Sequence, residues 1–209
     1  MALRLSTALR NYLNQDGSLK QAFKGGVLEI YSGSQPANAD AAVTGTLLAT
    51  ITDASGAHTN ETRATGSVQI TAGAAGSIDS ITVKMAGATG NALELLSAAV
   101  PYNTSINQTA SDVADNINAH FNYLGIEASA STDTITLTAP RTAGTDFNGM
   151  VVTSTATTLT TSDSNFSSGV DSANGLDFGE AASGILSKLS SQTWSGVAGA
   201  TGTAGWFRL

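Results

Sequence analysis

Apolar residues recur at two different periods along this chain, and the switches between those periods mark its elements. Leu5, Leu9 and Leu13, with Ala8 and Tyr12 beside them, follow helical spacing and predict an amphipathic helix over residues 2–14. Asp16-Gly17 is a turn signal that ends it. Val27-Leu28-Glu29-Ile30-Tyr31 then reads as a strand, followed by a turn over Ser32 to Pro36. Thr46 to Thr52 is a second strand with apolar residues on both faces, as suits a strand covered on both sides. From about Gly66 the texture changes: Val68 and Ile70 alternate with polar residues, as do Ile78, Ile81, Val83 and Met85.

The clearest element follows. Ala110, Val113, Ala114, Ile117, Phe121 and Leu124 form a helical stripe, with Thr109 placed as N-cap, Asp112 in the first turn and Gly125 as the terminating glycine. Ile126 to Ala130 and Thr134 to Thr138 predict a hairpin, and Gly149 to Thr153 another strand. Thr155 to Asn174, rich in Ser, Thr and Asp, reads as loop or linker. β character resumes over Gly184 to Leu189, Thr193 to Val197 and Thr203 to Leu209. These elements predict a mainly β chain with two α-helices, of the α+β class. The change of texture divides it into a β-sandwich-like outer domain (residues 1–65 and 171–209) and an inserted β-rich domain with one helix (residues 66–170). The alternative is one continuous β-sandwich.

Composition narrows what such a chain does. Only 12% of its 209 residues are charged, against about 25% in an average globular protein. With 41% apolar residues and a net charge of −7 it is nonetheless a folding sequence. Few charges and many Thr and Gly residues suit short strands, and also surfaces covered by other subunits, where each unpaired charge is costly to desolvate. There is no cysteine, so disulfides and thiolate chemistry are excluded. No run approaches the roughly 18 apolar residues of a membrane span. The first residues lack the continuous apolar region and cleavage site of a secretory signal, which points to a soluble protein made in the cytoplasm. Nine basic against 16 acidic residues argue against sequence-specific nucleic-acid binding. Arg4, Arg10, Lys20 and Lys24 do gather near the start, on a solvated helix face or a partner contact.

Chemistry is sparse. His58 and His120 are the two histidines, and without cysteine or His-x-x-x-His spacing they predict no zinc or iron site. Neither a Gly-x-Ser-x-Gly elbow nor a phosphate loop occurs. Asp163, Asp171, Asp177 and Glu180 lack calcium-loop spacing. Gly196, Gly199, Gly202 and Gly205 recur every third residue without the proline of collagen, so turns or close backbone packing account for them. The expectation is a protein with no catalytic, cofactor-binding or metal-ligating residue, and not an enzyme.

Resemblance adds a class. Ala2 to Asn11, Leu28 to Ala37, Gly45 to Ala49 and the ending Thr201 to Leu209 together resemble a family of small virion proteins of tailed bacteriophages, encoded among head and tail genes. In shorter members the two parts are joined almost directly, which implies an insertion here. The segments Thr109 to Ala119, Ile126 to Ala128, Thr134 to Ala139 and Gly144 to Gly149 are similar to an accessory β domain of phage tail proteins, contractile sheath proteins included. The resemblance implies a non-enzymatic virion structural protein, assembled in the host bacterial cytoplasm in many copies, in the tail or head–tail neck. Its implied partners are copies of itself and other phage structural proteins. A capsid decoration protein is one alternative; an adhesin whose inserted domain binds host-surface glycans is another. The interface candidates are Leu5, Leu9 and Leu13 on the first helix and the closing Trp206, Phe207 and Arg208, since Trp and Arg are common anchors. The same leucines equally suit covering their own sheet, and Trp206 a place in the core.

Overall fold

The computed structural model describes residues 4–15, 17–120 and 124–209. Expectations at Ala2, Leu3, the Asp16 turn and Phe121 fall outside these. The chain is mainly β and forms two compact units, one built from Met1–Glu61 and Ser172–Leu209, the other from Thr62–Asp171.

Unit 1, the outer one, opens with two short helices, α1 (Thr7–Gln15) and α2 (Leu19–Ala22). Thr7 starts α1 by donating its backbone N–H and its hydroxyl to Asp40, a carboxylate where the helix dipole favours one. The second helix has no signal in the apolar pattern. Ser18 and Gln21 form a capping box that defines it. One four-stranded antiparallel sheet follows, made of β1 (Leu28–Ser32), β2 (Leu47–Asp53), β11 (Trp194–Ser195) and β12 (Ala204–Arg208), ordered β11-β2-β1-β12. A second sheet to complete a sandwich is not found in this unit among the described residues. Gly184 to Leu189 forms no strand and is held by isolated bridges instead. Gly205 and Gly196 mark close backbone approaches: an added Cβ would stand 1.9 Å from the Gly33 carbonyl oxygen and 2.2 Å from that of Thr50.

Unit 2 holds two sheets and the long helix. One sheet is ordered β10-β3-β8-β7, from β3 (Thr65–Ala72), β7 (Glu127–Ser131), β8 (Thr134–Thr138) and β10 (Thr160–Ser167). The other joins β5 (Leu93–Glu94), β4 (Ser77–Lys84) and β6 (Val100–Pro101), with β9 (Val151–Thr157) also paired to β4. The alternating apolar residues Val68, Ile70, Ile78, Ile81 and Val83 all point into one core, as do Ile135 and Leu137.

The helix α3 (Ile106–Ala119) buries Ala110, Val113, Ala114 and Ile117 in that core, as the spacing of its stripe predicts. The cap differs from expectation. Ser105 is the N-cap, accepting from the Gln108 N–H, while Thr109 lies inside the helix, fully buried, its hydroxyl donating to the Ser105 carbonyl. Capping preference alone does not choose between two hydroxyl residues one turn apart. The helix also ends earlier than expected, at a C-cap His120 rather than before Gly125. The larger correction concerns residues 155–174. They are not a linker: β9 runs on to Thr157, and β10 pairs with β3 over Thr160–Ser167.

Candidate interaction surfaces

Register sorts the unit 1 sheet into two faces, because directly paired residues point the same way. Tyr31 opposite Trp206, and Glu29 opposite Arg208 and Thr50, lie on one face. Leu48 and Thr52 alternate onto it, and this face is buried: Tyr31, Trp206, Leu48 and Thr52 are each under a tenth exposed. The Tyr31 and Trp206 rings stack at 4.6 Å. The Tyr31 hydroxyl donates to Glu29 at 2.8 Å, and Arg208 pairs with the same carboxylate at 3.1 Å. Burial, aided by that hydrogen bond to Glu29, pushes the Tyr31 phenol above its ordinary pKa. Trp206 Nε1 is buried with no hydrogen-bond partner among the described residues.

The opposite face carries Leu28 opposite Ile51, and the row Ala49, Ile30, Phe207. Phe23, Phe178 and Trp194 form a chain of ring contacts at the β11 side, with centroids 6.2 and 5.2 Å apart. Toward β12 the face is open: Phe207 is 51% exposed, and Leu209 just past the strand is also exposed. Among the described residues no strand pairs with the outer edge of β12.

The sequence-derived interface candidates therefore separate. Phe207 is a surface residue, and Arg208 is a half-exposed partner of Glu29. Trp206 serves its own core. Leu5 is exposed, while Leu9 and Leu13 are half-buried, and no described residue of α1 or α2 is buried.

Unit 2 presents a different surface. Its edge strand β7 is closed by Asn118 of α3, whose amide accepts from the Ala128 N–H and donates to the Ala128 carbonyl, both at 2.8 Å. The β9 edge is closed by side chains of β10: Asp163 takes the Ser154 N–H and hydroxyl, and Asn165 takes the Val152 N–H. In each case a side chain stands in for a missing strand. Carboxylates here are anchored by neutral donors. Asp79 is held below its ordinary pKa by Ser77 and Thr157, Asp112 by Asn103 and Gln108, and Asp133 chiefly by Thr134 and Gln69.

The residues that could carry chemistry are dispersed. His58 is held through both ring nitrogens, near the Ala173 carbonyl and Asn60, and His120 through Nδ1 near the Leu95 carbonyl. Asp163 sits in a strand, Asp171 accepts from Thr145, Asp177 from Gly25, and Glu180 pairs with Lys20. No group of three or more metal-ligating side chains exists among the described residues. A cleft of about 420 Å³ in unit 1, lined by Leu48, Thr52, Ser55, His58 and Val197, has its polar groups engaged: Thr52 donates to the Gly56 carbonyl and Ser55 to Ser195. No helix among the described residues is long and apolar enough to cross a membrane.

Apolar burial differs most between the units. The hydrophobic core cluster lies entirely within residues 64–166. Among its described residues, unit 1 buries only Tyr31, Leu48, Leu176 and Trp206 as large apolar side chains. Of the large apolar residues left exposed, all but Met85 and Val170 belong to unit 1. Charge follows the same division. Unit 2 has nine acidic residues against Arg63, Lys84 and Arg141, whereas unit 1 is nearly balanced, with seven acidic and six basic. Comparison with family models, curated proteins and solved structures finds no match.

Proposed function

We propose that this chain is a non-enzymatic structural subunit that assembles in many copies through unit 1 and displays unit 2 as a solvated module. The observation that carries this reading is the unequal division of apolar surface. A near-neutral unit that buries four large apolar side chains and exposes eight is short of core, and burial against copies would supply what it lacks. An acidic unit with closed strand edges resists association of its own. The resemblance of both ends and the middle to phage proteins supports a role for such a subunit in a tailed-phage virion, in the tail or head–tail neck.

Size-exclusion chromatography with light scattering on the full chain tests this. Rings or tubes of many copies are the expected result. Trimers or monomers that attach only to preformed capsids would favour the decoration role instead, and a monomer with no such attachment contradicts the proposal.

A further inference from the structure

We propose that copies are linked by exchange of their N-terminal arms: residues 4–22 of one chain occupy, on the next copy, the place they fill here on their own. This rests on the assembly reading above and names the element that joins the copies.

The arm fits its site through a short set of ties. Thr7 donates its backbone N–H and its hydroxyl to Asp40 at 2.9 and 2.7 Å, Arg4 donates to the Pro36 carbonyl, and Lys20 pairs with Glu180. Arg10, bonded to the Thr7 hydroxyl, brings its charge beside the same Asp40 carboxylate. Every partner lies outside the arm: Pro36 and Asp40 in the largely exposed run between β1 and β2, Glu180 in the segment after unit 2. The arm of a second copy meets the same partners in the same geometry, so the site needs no new surface to accept it.

The ties that hold the arm to its own body are weak. No described residue of α1 or α2 is buried, and Leu5 and Leu19 are 39% and 40% exposed. Hydrogen bonds and ion pairs at such exposed sites compete with water. The body is anchored independently, directly after the arm. Gly25 donates to the Leu176 carbonyl at 3.0 Å and Leu176 donates back to Gly26 at 2.8 Å, so β1 keeps its place whichever body the arm occupies. Gly25 has φ of +72°, and an added Cβ there would stand 2.4 Å from the Ser172 hydroxyl, so the exit from the arm requires glycine. Backbone rotation over Phe23 to Gly25 redirects the arm and leaves the sheet undisturbed. An arm closed on its own body makes a monomer. An arm passed to the next copy makes a row of copies with one polarity, which closes into a ring or winds into a tube.

Because the chain has no cysteine, Thr7→Cys with Asp40→Cys in one full-length chain places two thiols at a single contact between arm and body. Ordinary and heavy-isotope-labelled copies of this variant are co-refolded in equal amounts and mildly oxidised, and the disulfide-linked peptides are weighed by mass spectrometry. Exchange predicts that about half of the linkages between positions 7 and 40 join a light peptide to a heavy one, with a ladder of covalent multimers on a non-reducing gel. Lys20→Cys with Glu180→Cys repeats the measurement at the second tie and serves where the first variant fails to fold. Linkages that join only light to light and heavy to heavy, beside a wild-type chain that assembles, would overturn the exchange and leave the assembly reading standing. Covalent dimers without higher species would show two copies trading arms reciprocally and overturn the open row. A wild-type chain that stays monomeric removes both.

Discussion

The two units have similar lengths and opposite distributions of apolar surface. Unit 2 gathers its apolar residues into one core between two sheets and a helix, then closes its strand edges with Asn118, Asp163 and Asn165. Unit 1 spreads its apolar residues over two short helices and one sheet, buries few of them, and leaves β12 unpaired on one side among the described residues. The first is how a domain stays apart from its neighbours; the second is how a surface waits for one.

The comparison breaks most visibly in the cores. Phe166→Ala empties a side chain that is 1% exposed and packs edge-on against Phe147, and should destabilise unit 2 by about 3–5 kcal/mol. Urea titration of the full chain measures it. Trp206→Ala should cost a similar amount, yet with so little else buried in unit 1 it should abolish that unit's transition altogether. Trp206→Phe keeps the stack on Tyr31 and removes the unpartnered Nε1 donor, so it should cost far less. Equal damage from the Phe and Ala variants would mean that the stack is not what holds this sheet.

Smaller effects sharpen the contrast at the edges. Asn118→Ala should uncover the Ala128 backbone groups, costing about 1 kcal/mol and raising light scattering on warming. In the β7–β8 hairpin Thr132 adopts φ of +53°, a left-handed conformation that a β-branched residue resists. Thr132→Gly should stabilise unit 2 by about 1 kcal/mol. The smallest effect is at the start of α1. Hydrogen bonds from the Thr7 hydroxyl and N–H hold the Asp40 carboxyl below its ordinary pKa. A depressed folded-state value means this tie is fully present above the unfolded carboxylate pKa and is lost as pH falls through the folded one. The protection of the Thr7 amide against exchange, relative to the unfolded chain, should therefore fall only in acid, and Asp40→Asn should remove that pH dependence.

Much of this architecture is written in the residue pattern where burial is strong. The α3 stripe, the β7–β8 hairpin and the alternation along β3 and β4 are legible because each has a buried apolar face to keep in register. β10 is not, since Thr160 to Asn165 is polar on both faces. It is a strand because it pairs with β3 and because Asp163 and Asn165 reach β9, a long-range arrangement with no local signal. The surface candidates at both ends of the chain are legible as apolar positions. Which of them the fold buries is not: the Trp206–Phe207 pair differs only in parity along β12, and parity is set by pairing with β1.

The separation of roles is tested most directly by dividing the chain. In unit 1 the chain leaves at Thr59 and returns at Ala173, and these two residues exchange backbone hydrogen bonds at 3.2 and 3.1 Å, so a short Gly-Ser link between Glu61 and Ser172 closes it without strain. Light scattering of this shortened chain and of isolated residues 62–171, each across a hundredfold range of concentration, is the measurement. The shortened chain should assemble and residues 62–171 should remain monomeric; a monomeric shortened chain beside a self-associating 62–171 would contradict the account.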